Sequence, residues 1–282
     1  LCVIHEQWIL DDQFGERLLH IALQRHVAGR RGGQQGGCTR AQQPVNQSLS
    51  AGGVPRAGKN GDRIGRQNGA AAVVVAGPAD TPEEDWQGEA ALALLDRVAG
   101  LTRRTPIVCA GASQGPLVAI GVQQLGIDRL RIFGSAPGAL VSSLRALVAL
   151  EARVSPGEVA INLLGVPPAH PVVPWSSATI GGYPLEDTLS PPQLARLRNR
   201  VEHLWPPGPF VLASAAARVV EALVVGGARR RFACFIDDGS GEGPGARSVG
   251  VTLGPAGIDE ILPVTLSRLE RVQLENALGG RD

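Results

Sequence analysis

Methionine is absent from the whole 282-residue chain, where about six would be ordinary at roughly 2% usage. The chain begins at Leu1, and together these two oddities lead us to expect a fragment or a misread start. Charge of one sign is also lacking. A formal net charge of +1 gives the whole molecule no electrostatic reason to bind nucleic acid or an anionic membrane. Long apolar runs are missing too: the most apolar stretch, Ala70 to Gly77, is far too short to cross a bilayer. The first residues lack a cationic stretch followed by an apolar one. A cytoplasmic protein with no membrane partner is therefore expected. The four cysteines, Cys2, Cys38, Cys109 and Cys234, form no C-x-x-C pair and are expected to be reduced thiols rather than staples.

The chain is uneven along its length. Residues 29–69, "GRRGGQQGGCTRAQQPVNQSLSAGGVPRAGKNGDRIGRQNG", show almost no apolar periodicity and little area to offset chain entropy, so loop or disorder is expected. Before them, Phe14 to Val27 reads as a short helix with Leu18, Leu19, Ala22 and Leu23 on one side and Gly29 as its stop. The Arg-Gly-Gly unit could contact single-stranded RNA through phosphates, yet no aromatic residue lies near it to stack on bases. A flexible solvated segment is the plainer reading, and nucleic acid is not an expected partner.

From Ala70 onward, apolar runs alternate with amphipathic ones. "AAAVVVAG" reads as a buried parallel strand. Residues 88–100 place Ala91, Leu94, Leu95 and Val98 on one helical face, "TPIVCAGAS" is the next strand, Pro116 to Gly126 the next helix, and "RLRIFGS" a third strand. This spacing implies parallel βαβ units, hence an α/β protein with helices on the faces of its sheet. After Gly134 the spacing predicts a helix from about Leu140 to Ala152 and a strand in "GEVAINLLG". Ser190 should open a long amphipathic helix carrying Leu194, Leu197, Val201 and Leu204, and "FVLASAAARVVEALVVGG" should form another. Antiparallel strands with Gly-rich turns follow, and Ser267 caps a closing helix.

Several segments carry a family resemblance, in order and almost without gaps over residues 70–278, about three quarters of the chain. They are "VVVAGPA", "RIFGSAPGALVSSLRALVALEARVSPGEV", "GVPPAHPVVPWSSATIGGYPL" and "VTLGPAGIDEILPVTLSRLERVQLENAL". Together they resemble the lactate/malate dehydrogenase family, closest to its L-lactate dehydrogenase side. The resemblance implies three divisions: an atypical Gly/Arg-rich segment over 1–69, the remainder of a Rossmann-like NAD-binding domain over 70–133, and an α+β C-terminal domain over 134–282. It implies NAD as cofactor, a small 2-oxoacid as substrate and a homo-oligomeric state. It also places Ala76, Gly77, Ala112, Gly134 and Ser135 along the cofactor.

In that family NADH passes a hydride to C2 of the oxoacid while a histidine, oriented by an aspartate, gives the proton and arginines clamp the carboxylate. By the same register the histidine position falls on Pro167, the aspartate on Leu140, the clamp arginine on Ser143 and an asparagine on Ala112. The loop that carries arginine in the family reads "PADTPEEDWQ", where Asp80, Glu83, Glu84 and Asp85 would repel an oxoacid. No G-x-G-x-x-G occurs in residues 1–69, so the amides that cradle a pyrophosphate are not presented and NAD binding should be weak or lost. A displaced reading frame over about the first 47 residues would account for that absence.

The expectation is a pseudoenzyme, partnered by its own copies or by an active relative. His170, three residues past Pro167, is the one substitute acid. It would serve an active oxidoreductase only with a rebuilt loop and a new carboxylate partner; the plainer reading is an exposed loop histidine. A third alternative is an N-terminal Arg/Gly-rich binding module. Three arginines in "GARRRF" are read as helix capping and solvation, "FIDDGSGEGPG" as a turn rather than a calcium loop or any other metal site, and Trp175, Ser176, Gly181 and Gly182 as packing and turn geometry.

Overall fold

A computed structural model describes residues 7–10, 17–20, 70–76, 88–101, 103–225, 230–237 and 245–279. Gly77, the acidic loop 78–87 and nearly all of the Gly/Arg-rich segment lie outside them.

Three short parallel strands, β3 (Val73–Val75), β4 (Ile107–Cys109) and β5 (Ile132–Gly134), form one half of the main sheet. Helices α1 (Gly88–Leu101) and α2 (Gly115–Gln123) connect them. The strands are fully apolar and almost wholly buried, as strands covered on both faces must be. Ala91, Leu94, Leu95 and Val98 of α1 pack into the same core as Leu117 and Val118 of α2, on the face that the spacing predicts.

Antiparallel strands continue the sheet. Its order is β3-β4-β5-β11-β12-β7-β8, with β13 also on β12, where β7 is Leu164–Val166, β8 His170–Val172, β11 Phe232–Ile236, β12 Arg247–Gly254 and β13 Gly257–Leu262. The junction is a single pairing, Phe235 with Gly134. A Cβ on Gly134 would stand 3.0 Å from the Phe235 side chain, so glycine lets the two halves of the sheet meet. A separate three-stranded sheet joins β6 (Val159–Ala160), β9 (Thr179–Ile180) and β10 (Tyr183–Pro184). Gly181 and Gly182, at φ 58° and 88°, make its tight turn, a backbone conformation in which a side chain is strained.

Helix α3 (Ala136–Ala152) packs against α6 (Pro209–Val225) and β11. The short α4 (Leu185–Thr188) and α5 (Pro191–Arg200) lie between α3 and α6 in the chain, and α7 (Arg268–Gly279) closes on β7 and β8. Ser267 caps α7 as its sequence predicts: its Oγ accepts from Glu270 N at 3.3 Å, and Glu270 returns the bond to Ser267 N at 2.8 Å.

Four expectations are corrected. Arg17–His20, expected within a helix over Phe14–Val27, is strand β2, paired antiparallel with β1 (Gln7–Leu10); a nonlocal partner overrides local apolar spacing. α3 begins at Ala136 rather than Leu140, with Pro137 in its first turn. "GEVAINLLG" divides into β6 and β7, which belong to different sheets. The helix opened by Ser190 changes to a 3-10 turn at Val201–Leu204, although Leu194, Leu197 and Val201 all face the core.

Cys109 and Cys234 are buried and form no disulfide. Burial alone pushes the Cys234 thiol up to about 12.

Candidate functional site

In an open parallel sheet the crevice beyond the carboxyl ends of the strands is where a ligand fits. Here those ends are Val75, Cys109 and Gly134. Ala76 follows the first and is half-buried. Beyond the second, Ala112 is 2% exposed within the apolar core, and the wholly buried Gln114 folds back to accept from Gly111 N at 2.9 Å. Beyond the third, the Ser135 backbone N–H donates to Cys109 O at 2.9 Å, while its buried Oγ finds no partner. A dinucleotide needs convergent donors for its phosphates and a polar contact for its nicotinamide. Among the described residues, the chain just past these ends presents Ala76, Ala112, the Gln114 turn and the side chains of Ser113 and Ser135.

The positions at which the resemblance implies proton transfer and carboxylate binding hold no acid, base or arginine. Leu140 is 1% exposed, in a cluster with Leu144, Leu163, Val173 and Trp175. Ser143 is half-buried on the same helix, and Pro167 is buried in the turn between β7 and β8. None of the three can take or give a proton near neutral pH.

His170 lies elsewhere. It is the first residue of β8, paired with Val166, so it sits on a strand rather than on the loop its plainer reading supposed. Gly165 beneath it, at φ 82°, leaves room for the His170 carbonyl, which a Cβ there would meet at 2.3 Å. The His170 side chain is exposed and lines a wide cleft of about 1020 Å³ between β8, α7 and the end of α5, together with Trp175, Ser176, Glu186, Arg198 and Glu270. Ala112, Gly134, Ser135, Leu140 and Ser143 do not line that cleft.

Its buried carboxylate is Glu270, three residues past the Ser267 cap and not among the site residues that the sequence suggests. Glu270 accepts from Ser176 N at 2.9 Å, from the Ser176 hydroxyl, and from Ser267 N at 2.8 Å. Burial pushes its carboxyl up, but the Ser176 and Ser267 hydrogen bonds outweigh burial and leave it below the usual 4.5. A carboxylate held ionised by three donors is a poor proton donor and a good staple; it ties the 3-10 turn Trp175–Ser177 to α7. Arg198 stands 5.9 Å over the Trp175 ring and pairs with Glu186 at 3.2 Å, so it too is occupied.

A second, narrow cleft of about 40 Å³ opens beside Ser135. Arg145 of α3, Arg218 of α6 and Arg231 at the start of β11 converge on it. In the sequence Arg231 stands out only as a helix-end charge, and Arg145 and Arg218 carry no local signal.

The chain matches no protein-family model. Solved structures resemble it closely in fold. A malate dehydrogenase from Aeropyrum pernix aligns at TM-score 0.63 and 17% identity, covering 74% of this chain and 73% of that one. The ligand-bound minor L-lactate dehydrogenase of Enterococcus mundtii aligns at 0.63 and 18%, covering 75% and 74%. A lactate dehydrogenase of Cryptosporidium parvum, complexed with lactic acid and nicotinamide adenine dinucleotide, aligns at 0.58 and 20%, covering 66% and 65%. The fold of this chain is therefore that of the lactate and malate dehydrogenases.

Proposed function

We propose that this chain, with its lactate/malate dehydrogenase-like fold, is a pseudoenzyme: it keeps the scaffold of those enzymes and has given up their reaction. The observation that carries this reading is that Pro167 and Leu140, the positions to which the resemblance assigns the proton donor and its orienting acid, are both buried. Reduction of a 2-oxoacid delivers hydride to C2 and a proton to the carbonyl oxygen, and neither residue can supply that proton. Loss of a general acid removes about 10²–10⁴-fold in rate. Loss of the arginine at Ser143 leaves a desolvated carboxylate unpaired, at a cost of several kcal/mol. On this reading residues 70–133 are the remains of a dinucleotide domain, residues 134–282 are the second domain, NAD binding is weak or lost, and the protein acts in the cytoplasm as a homo-oligomer or by regulating an active relative.

A second reading rests on one observation, that His170 lines the 1020 Å³ cleft. It makes the protein an active NAD-dependent oxidoreductase acting on another carbonyl compound. NADH oxidation at high protein concentration, across a panel of 2-oxoacids including pyruvate and oxaloacetate, separates the two. A flat trace is expected. Turnover that scales with protein and vanishes in His170→Ala establishes the second reading instead. The Arg/Gly-rich binding-module alternative falls on residues outside those described. A salt-sensitive RNA complex that disappears when residues 1–69 are removed would establish it.

A further inference from the structure

The geometry points to the outer face of α7 as a surface that pairs with the same helix of a second copy of this chain, laid antiparallel. The pairing rests on the homo-oligomer reading and gives it a surface; it is independent of whether a dehydrogenase reaction survives.

One face of α7 is spent on the fold. Glu270 is buried against Ser176, and Ala277 packs with Leu164 of β7 and Val172 of β8. The opposite face is left over. Leu269 is 68% exposed and Val272 44%, and with the exposed Asn276 and Gly279 they recur at intervals of three and four residues, the spacing of a seam along which one helix meets another. A Cβ on Gly279 would meet nothing within 4 Å, so that end of the seam is open. An asparagine in such a seam sets register at some expense of stability.

Charge says what covers it. Arg268 and Arg271 stand in the first turn of α7 and Glu275 in its later half, with no basic residue in the last turn. The helix dipole favours the reverse order for these three, acid first and base last. None of them takes part in an ion pair among the described residues, although Arg271 and Glu275 are one turn apart; arginine before glutamate is the weaker order for such a pair. Charges set against their own helix suit an antiparallel neighbour, whose negative end lies beside Arg268 and whose positive end lies beside Glu275. A two-fold axis crossing α7 between Arg271 and Val272 brings Arg268 opposite Glu275 of the partner subunit, and the symmetry makes the same contact twice.

The surroundings leave room for this neighbour. Leu269 and Asn276 also line the wide cleft, which is apolar at Val172, Val173 and Val201 and whose interior carboxylate, Glu270, is already satisfied. Its volume of about 1020 Å³ is on the scale of about two turns of a helix roughly 10 Å across.

Sedimentation velocity of the full chain across micromolar concentrations tests the pairing. A reversible dimer that weakens as sodium chloride is raised is expected. Arg268→Glu and Glu275→Arg each set like charges face to face, and each should weaken self-association at least about tenfold. Mixing the two variants, or combining both changes in one chain, restores opposite charges at both contacts and should bring the dimer back. Both positions are exposed, so circular dichroism should stay native throughout. A monomer at every concentration overturns the assignment and the homo-oligomer reading together. A dimer that neither single variant weakens, or one that the mixture and the combined variant fail to restore, overturns this surface alone and leaves the homo-oligomer reading standing.

Discussion

The two clefts differ in a way that size conceals. The wide one, of about 1020 Å³, holds the only histidine that the sequence offers as an acid, yet the polar groups best placed in it are already engaged: Glu270 by Ser176 and Ser267, Arg198 by Glu186. The narrow one, of about 40 Å³, is bordered by residues with groups buried without a partner: the Ser135 hydroxyl and the Arg145 Nε. A surface whose donors and acceptors answer one another is finished structure, and the interior of the larger opening is of that kind.

Both clefts are backed by one apolar cluster, in which Val141 lines the narrow cleft and Val173, Trp175 and Val201 line the wide one. The severest way to break the comparison is to damage that shared wall. Leu140→Asp restores the acid that the resemblance implies, but it buries an unpaired charge and should cost 4 kcal/mol or more, a loss of about that size, read from urea unfolding. An unchanged midpoint would mean that α3 can open a polar path to Leu140.

Next comes the staple of the wide cleft. Glu270→Ala leaves Ser176 N and Ser267 N without their acceptor and should destabilise by about 3 kcal/mol. The same staple gives a pH dependence. Its folded carboxyl titrates below the usual 4.5, so its contribution is fully present above that value and is lost as pH falls through the lower, folded one. Urea midpoints should therefore drop below about pH 4.5 more steeply in the wild type than in Glu270→Gln. Parallel profiles would remove Glu270 as the titrating group.

The narrow cleft should answer in the opposite direction. Arg218→Glu replaces a repelling neighbour of Arg145 with an attracting one and should stabilise the protein by about 0.5 kcal/mol. A loss of stability would show that the arginines are not crowded. The smallest effect belongs to His170→Ala, an exposed change expected to stay within about 0.5 kcal/mol by the same unfolding measurement.

Much of this architecture is legible in the sequence, for reasons that are local. The βαβ run from Val73 to Gly134 follows from buried apolar triplets separated by amphipathic helices. The Ser267 cap is a local signature with its own hydrogen-bond logic. Pro137, in the first turn of α3, marks the start of that helix as Pro116 marks the start of α2. Other features are tertiary and leave no local trace. Arg17–His20 becomes a strand because Gln7–Leu10 pairs with it, and the stretch Ile161–Leu164, apolar apart from Asn162, gives no sign that the chain leaves one sheet for another. The narrow cleft is of this second kind. Arg145, Arg218 and Arg231 lie on three elements far apart in sequence, and only the packing of α3 on α6 and β11 gathers them.

The two thiols set in the joined halves of the sheet, Cys109 on β4 and Cys234 on β11, make the chain its own stopwatch. A thiol reagent attacks only the thiolate, and a buried sulfur such as that of Cys234, pushed up to about 12, is silent at neutral pH until its strand leaves the sheet; Cys109 is shielded by burial. With Cys2 and Cys38 replaced by serine, the rates at which Cys109 and Cys234 take up label report how often each half opens. Matching rates mean that the parallel and antiparallel halves open as one cooperative unit; a faster Cys109 means that the parallel half breathes alone.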